Sequence, residues 1–200
     1  MEQRKAFQFR CPTRLLIAGP LGCGKTTFTT RLLLDNTDLF SKTPESVYYC
    51  YGSWQKGFEK LKEGGVKFHE GIPDIELLHK WSLEGQGILA LDDLMDEGSN
   101  DKRVLDLFTR DSHHQGVTVL YLCQDLFPNG KYAKTISRNA HYIAVFKNPQ
   151  DQLGIRKATE RPFGYMLLDL HPASQDNTRI LSHVLKGEGV MRCYQLRPSC

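Results

Sequence analysis

Residues 19–26 read Gly-Pro-Leu-Gly-Cys-Gly-Lys-Thr and match the pattern GxxxxGK[ST]. The short apolar run Arg14–Ala18 (RLLIA) precedes this stretch, and Thr26–Leu34 (TTFTTRLLL) after it has the spacing of a helix. The sequence therefore predicts a buried strand, a glycine-rich loop and a helix, in that order. A chance match to the four fixed positions in a chain of this length is on the order of one per cent.

The residue types of this loop suit the binding of a phosphate group. Glycines let successive backbone N–H groups turn inward around an anion, and the helix that follows points its N-terminus at it. Lys25 would supply a charge to the β- and γ-phosphates, and the Thr26 hydroxyl a ligand to Mg²⁺. An ordinary glycine-rich turn is the alternative, but it needs neither the lysine nor the threonine. We expect a nucleotide-binding P-loop made of Gly19, Pro20, Leu21, Gly22, Cys23, Gly24, Lys25, Thr26 and Thr27.

Polar side chains follow two further apolar runs. Asp92 and Asp93 come directly after Gly87–Leu91 (GILAL), and Gln124 comes directly after Val117–Cys123 (VTVLYLC). Because ligands bind beyond the carboxyl ends of parallel strands, we expect these side chains to meet the P-loop. Asp92 is then the candidate Mg²⁺ ligand, Asp93 the candidate base for the attacking water, and Gln124 a contact of water or γ-phosphate. The alternatives are a turn-initiating aspartate and a solvated strand end.

Apolar strands alternate with helical segments along the rest of the chain. This alternation predicts an α/β fold with a mostly parallel central sheet and helices on both faces. Together with the GxxxxGK[ST] motif it indicates the P-loop NTPase type. We expect one domain over residues 1–200, with residues 1–12 loose. The further predicted strands are Ser46–Tyr51, Val66–His69, His141–Phe146, Tyr165–Leu170 and Val190–Leu196; the predicted helical segments are Phe58–Lys62, Ile75–Trp81 and Lys102–Asp111.

Composition limits the remaining classes of protein. The chain has 40% hydrophobic and 24% charged residues, which is ordinary for a globular domain and argues against disorder. A net charge of +3 permits a nucleic-acid partner without requiring one. No apolar run approaches the roughly eighteen residues of a membrane span, and the N-terminus does not read as an export signal. The six cysteines form no CxxC pair, so we expect reduced thiols, no zinc site and an intracellular protein that is not secreted.

With these elements placed, the chain resembles the P-loop ATPases of the FtsK–HerA type, and within them the viral genome-packaging branch. That branch is poxvirus-like and occurs in Polinton/Maverick and adintovirus-like elements. The runs that carry the resemblance are GPLGCGKTTF, VYYCYGSWQ, LALDDLMDE, SHHQGVTVLYLCQDLFP, ISRNAHYIAVFKNPQDQ and RPFGYMLLDLHP.

The resemblance implies a homo-oligomeric, ring-forming ATPase that moves double-stranded DNA into a capsid and contacts capsid proteins. It assigns Lys25 and Thr26 to nucleotide and Mg²⁺, and Asp92 to the metal. To Asp93 it assigns water activation, and to Gln124 γ-phosphate sensing.

The sequence departs from the family pattern at three places. Many translocases have glutamate where this chain has Asp93, which is one methylene shorter. Relatives often have Arg-His where this chain has His113-His114, so the candidate arginines that act on a neighbouring subunit are Arg110 and Arg138. The segment Asp151–Arg161 looks shortened relative to relatives.

Two other functions remain open on the sequence alone. A small-molecule P-loop kinase would need an arginine-rich lid, and no such run is evident. A degenerate protein that binds nucleotide without turnover is the other alternative. A GTPase would need a guanine-reading NKxD motif, which the chain lacks, so we expect Mg·ATP to be preferred to GTP.

Overall fold

The computed structural model of the chain describes residues 7–35, 37–82, 86–94, 98–111, 116–126, 130–147 and 164–194. Strands within these ranges form one nine-stranded sheet of order β3-β2-β4-β5-β1-β6-β7-β8-β9. In chain order the strands are β1 (Arg14–Ala18), β2 (Ser46–Tyr51), β3 (Lys67–Glu70), β4 (Gly87–Asp92), β5 (Thr118–Cys123), β6 (Tyr142–Phe146), β7 (Tyr165–Asp169), β8 (Ile180–Ser182) and β9 (Arg192–Tyr194).

The first six strands are parallel, and the last three extend the sheet in antiparallel fashion from β6. The central strands β4, β5 and β6 are buried along their whole length, as expected for strands covered on both faces. Strand β5 lies between β1 and β4 and pairs with both of them. The carboxyl ends of β1, β5 and β4 therefore adjoin at one edge of the sheet.

Helices cover both faces of this sheet. They are α1 (Lys25–Asp35), α2 (Phe58–Glu63), α3 (Ile75–Ser82), α4 (Lys102–Asp106) and α5 (Ala133–Arg138), with 3₁₀ turns at Thr37–Leu39 and Asp176–Thr178. One core packs α1 and α2 on the sheet, and a second core packs α3, α4 and α5 on the opposite face. The predicted α/β class, with a mostly parallel sheet and helices on both faces, is confirmed.

Several local predictions need correction. The helix predicted over Lys102–Asp111 is α-helical only to Asp106 and continues as a π-helical turn, Leu107–Asp111. Strand β8 was not predicted, because three residues are too few to show an alternating pattern. Residues 1–12 were expected to be loose, and within them the structure shows Phe9 fully buried and packed on Tyr142.

Two features that the sequence singled out lie outside the described residues, namely His113-His114 and the segment 151–161. Where the chain is described, no helix combines the length and the apolar character that crossing a bilayer requires.

Candidate nucleotide-binding site

A cavity of about 360 Å³ lies at the carboxyl ends of β1, β5 and β4. Three of the predicted elements meet there, the P-loop, the acidic pair and the polar end of β5. The lining residues are Leu21, Gly22, Gly24, Lys25, Thr26, Thr27, Gln55, Asp92, Asp93, Leu122, Cys123 and Gln124. Gly19, Pro20 and Cys23, which the sequence also assigned to the nucleotide, belong to the same loop but do not line this cavity.

The glycines give the loop its curved path. Gly22 and Gly24 have φ of 73° and 105°, a backbone region that side chains disfavour. Gly19 has no room for a side chain, because a Cβ there would lie 2.7 Å from Phe146 Cβ. The loop closes with a hydrogen bond from Cys23 N to Pro20 O, and Phe28 N donates to Gly24 O in the first turn of α1. The loop thus leads directly into the N-terminus of a helix, which favours anions.

Lys25 folds over the loop that precedes it. Its Nζ donates hydrogen bonds to Gly19 O at 2.5 Å and Pro20 O at 3.0 Å. Thr26 and Thr27 follow in the first turn of α1 and line the cavity. Among the described residues that line the cavity, Lys25 is the one with a cationic side chain. It precedes Thr26 and Thr27, which carry hydroxyl groups, at the N-terminus of α1.

Asp92 is the last residue of β4 and is only 4% exposed. The Tyr49 hydroxyl donates to its Oδ2 at 2.6 Å. Burial raises the pKa of Asp92, while the Tyr49 hydrogen bond and the charge of Lys25 act in the opposite direction. Burial and the neighbouring Asp92 charge together raise the pKa of Tyr49 well above its ordinary value, so its hydroxyl remains a donor.

Asp93 differs from Asp92 in being exposed and in having a left-handed backbone, with φ of 56°. Aspartate tolerates this region better than most residues because its side chain is short. Gly52, which follows β2, lies against it: Gly52 N donates to Asp92 O at 3.1 Å, and a Cβ at Gly52 would lie 2.3 Å from Asp93 O. The turn after β4 thus brings Asp93 to the cavity in a fixed backbone position.

The order of the strands sets the position of Gln124. Because β5 lies between β1 and β4, its carboxyl end lies between the P-loop and the acidic pair. Gln124 follows that end directly, is exposed and lines the cavity. The structure therefore brings Lys25, the two aspartates and Gln124 to one cavity, as the sequence predicted.

The candidate Arg138 does not line this cavity. Arg138 ends α5, is exposed and lies just before the start of β6, at the opposite edge of the sheet. Arg110 belongs to the π-helical turn after α4, and its side chain is outside the described part of the structure. That turn also lies at the far edge, since Phe108 O accepts a hydrogen bond from Arg14 at the start of β1. Of the two candidates, Arg138 is therefore placed away from the cavity of its own chain.

The donor groups of the cavity suit Mg²⁺. Within the described ranges, no three or more His, Cys, Asp or Glu side chains are grouped so that they could hold a metal ion. Mg²⁺ typically takes one or two carboxylates, and it completes its octahedron with water and substrate phosphates. The Thr26 hydroxyl and the Asp92 carboxylate, both hard oxygen donors on one cavity, fit that requirement.

Two residues of the site, Tyr49 and Gln55, were not predicted from the sequence. Tyr49 looked like a core residue of β2, and nothing in the pattern indicates a bond to Asp92. Gln55 lines the cavity from the loop after β2. The available signal for Gln55 was its place in the loop that follows β2, because ligands bind beyond the carboxyl ends of parallel strands.

Comparison with known proteins supports the fold. No protein-family model matches the chain, and no curated protein matches it. Among solved structures, the genome packaging NTPase B204 from Sulfolobus turreted icosahedral virus 2, in complex with ATPγS, matches with a TM-score of 0.54 and 13% identity. The match covers 80% of this chain and 93% of that chain.

Two further structures match at 12% identity. The flagellar accessory protein FlaH from Methanocaldococcus jannaschii has a TM-score of 0.52 and covers 86% of this chain and 84% of its own. A KaiC-like protein from Pyrococcus horikoshii has a TM-score of 0.51, with coverage of 92% and 90%. These likenesses show that the chain has the fold of P-loop NTPases.

Proposed function

We propose that the chain binds Mg·ATP in the cavity at the ends of β1, β5 and β4, and hydrolyses it. The observation that carries this proposal is the convergence of Lys25, Thr26, Asp92, Asp93 and Gln124 on one cavity, although they come from three separate stretches of sequence. A structural turn would not require a lysine, a buried carboxylate and a polar strand end at the same place.

The P-loop residues bind the triphosphate in this proposal. The backbone N–H groups of the loop and the N-terminus of α1 donate to phosphate oxygens. Lys25 exchanges its bonds to the Gly19 and Pro20 carbonyls for bonds to the β- and γ-phosphates. Thr26 and Asp92 hold Mg²⁺, which neutralises charge on the phosphates when it is bound.

The two exposed residues of the cavity, Asp93 and Gln124, then act in hydrolysis. Asp93 takes a proton from the attacking water, and Gln124 orients that water or contacts the γ-phosphate. The left-handed turn at Asp93 and the contact of its carbonyl with Gly52 fix the backbone from which this side chain extends. Gln55 lines the same cavity and would supply a second side-chain amide there.

At the level of the whole protein, we propose a genome-packaging motor subunit that translocates double-stranded DNA as a homo-oligomer. Support comes from the sequence runs that resemble those of the packaging ATPases, and from the structural likeness to a genome packaging NTPase. The position of Arg138 is compatible with an oligomer. Arg138 lies at the opposite edge of its own sheet, so a contact between Arg138 and a γ-phosphate would be made in the site of a neighbouring subunit.

The test is steady-state ATP hydrolysis by the purified chain, with and without double-stranded DNA. Turnover stimulated by DNA is the expected result. Turnover that appears only with a small phosphate acceptor would indicate a kinase. Retained ATP binding without any turnover would indicate a non-catalytic nucleotide-binding protein. A Lys25→Ala variant is the control for contaminating ATPases.

A further inference from the structure

A hydrogen bond between two buried side chains lies directly behind the proposed Mg²⁺ ligand. Tyr49 is fully buried on β2, and its hydroxyl donates to Asp92 Oδ2 at 2.6 Å. The pairing of Tyr51 with Asp92 places Tyr49 two residues back on the neighbouring strand, on the same face as Asp92. Among the described side chains, the one that donates to this carboxylate is Tyr49, through Oδ2, and the backbone N–H of Asp93 is a further donor to the carboxylate.

Aromatic neighbours fix the Tyr49 ring. Phe58 of α2 packs at a centroid distance of 4.9 Å, and Phe68 of β3 packs on it at 5.5 Å. Phe58 and Phe68 also pack on each other, at 5.6 Å, so the three rings form one cluster that restricts the buried Tyr49 ring and its hydroxyl. The hydrogen bond consequently fixes the rotation of the Asp92 carboxylate.

We propose that Tyr49 is a positioning residue for the metal of this site: it holds Asp92 by Oδ2 so that Oδ1 is directed to Mg²⁺. This inference rests on the proposed function, because it takes Asp92 as the metal ligand. Tyr49 itself touches neither metal nor nucleotide in this account. Groups that hydrogen-bond to a metal-ligating side chain commonly change metal affinity by about 10–100-fold when they are removed.

The test compares Tyr49→Phe with Tyr142→Phe. Both changes remove one buried hydroxyl from a strand of the same sheet, but the Tyr142 hydroxyl accepts a hydrogen bond from Arg10 N at the opposite edge. The measurement is ATPγS binding by calorimetry at increasing Mg²⁺ concentrations, together with binding in EDTA. Thermal unfolding reports whether each variant is folded.

We expect Tyr49→Phe to raise the Mg²⁺ concentration for half-maximal binding about 10–100-fold. Binding in EDTA should remain at the wild-type value, and Tyr142→Phe should match wild type in both measurements. Tyr49→Leu removes the hydroxyl in a different shape and should show the same shift, so either folded variant tests the inference.

Two results would overturn the inference. One is an unchanged Mg²⁺ dependence in a folded Tyr49 variant, and the other is equal weakening with and without metal, which would show a purely structural role. Failure of the proposed function gives a separate signature, because wild-type protein would then show no Mg²⁺-dependent binding of ATPγS.

Discussion

Replacing Gly52 by alanine tests whether the turn after β4 is held as described. The new Cβ would lie 2.3 Å from Asp93 O, whereas non-bonded heavy atoms keep about 3.5 Å or more. The obstructing atom is backbone carbonyl, which cannot rotate away as the end of a side chain can. The ends of β2 and β4 must separate, and the hydrogen bond from Gly52 N to Asp92 O is lost or lengthened.

Overpacking typically costs about 1–3 kcal/mol, and a net backbone hydrogen bond contributes about 0.5–1.5 kcal/mol. We therefore expect Gly52→Ala to lower the free energy of unfolding by about 2–4 kcal/mol. For a chain of this size that corresponds to a fall in Tm of roughly 5–15 °C. Turnover should fall as well, because Asp93 moves with the displaced carbonyl.

The matched control is Gly57→Ala, five residues further along the same loop. Gly57 has ordinary right-handed dihedrals, and a Cβ there meets nothing within 4 Å. Its unfolding free energy should stay within about 1 kcal/mol of wild type. Urea denaturation of the three proteins provides the comparison. Equal stability of the two alanine variants would refute the close contact between Gly52 and Asp93.

Three other predictions concern roles within and beyond the site. Asp93→Asn, which tolerates the left-handed turn, should keep nucleotide binding and lose about 10²–10⁴-fold in hydrolysis, whereas Asp92→Asn should weaken the Mg²⁺ dependence; identical behaviour of the two would contradict the division of roles. Subunits with Arg138→Ala should regain part of their turnover when mixed with Lys25→Ala subunits, because arginine and P-loop would come from different chains; failure of such mixtures would exclude Arg138 as the residue that acts in trans. The Asp101 carboxylate accepts hydrogen bonds from the backbone N–H and from the guanidinium of Arg103. The bond from the Arg103 side chain lowers the pKa of Asp101. A lowered pKa stabilises the fold above the unfolded value of about 3.9, and the gain is lost as the pH falls through the lower folded value. Asp101→Asn should thus have a lower free energy of unfolding than wild type at neutral pH in urea titrations, and the difference should become smaller in acid. An undiminished difference at about pH 2 would show that the charge of the Asp101 carboxylate is not its cause.

The sequence predicted those parts of the site that depend on local patterns. The glycine-rich loop, the start of α1 and the ends of β4 and β5 are each recognised within about ten residues of chain. Lys25, Asp92 and Gln124 could be brought together beforehand because the carboxyl ends of parallel strands meet at one edge of a sheet.

Features that depend on tertiary packing could not be predicted in this way. The bond between Tyr49 and Asp92 joins residues that are 43 positions apart, and either side chain alone reads as ordinary. Burial of Phe9 depends on Tyr142 and Phe40, which lie on distant segments. The π-helical turn at Leu107–Asp111 has only five residues, and over that length its apolar spacing does not differ from that of an α-helix.

The most direct test of the central claim is a calorimetric titration of ATPγS and Mg²⁺ into wild-type protein and Lys25→Ala. Lys25 is the one cationic side chain on the described lining of the cavity, so no neighbouring lysine or arginine of that lining can replace it. We predict one nucleotide bound per chain in wild type, and no measurable binding in a Lys25→Ala variant with unchanged thermal unfolding. Equal affinity in both proteins, or no binding by folded wild type, would contradict the assignment of this cavity to a nucleotide.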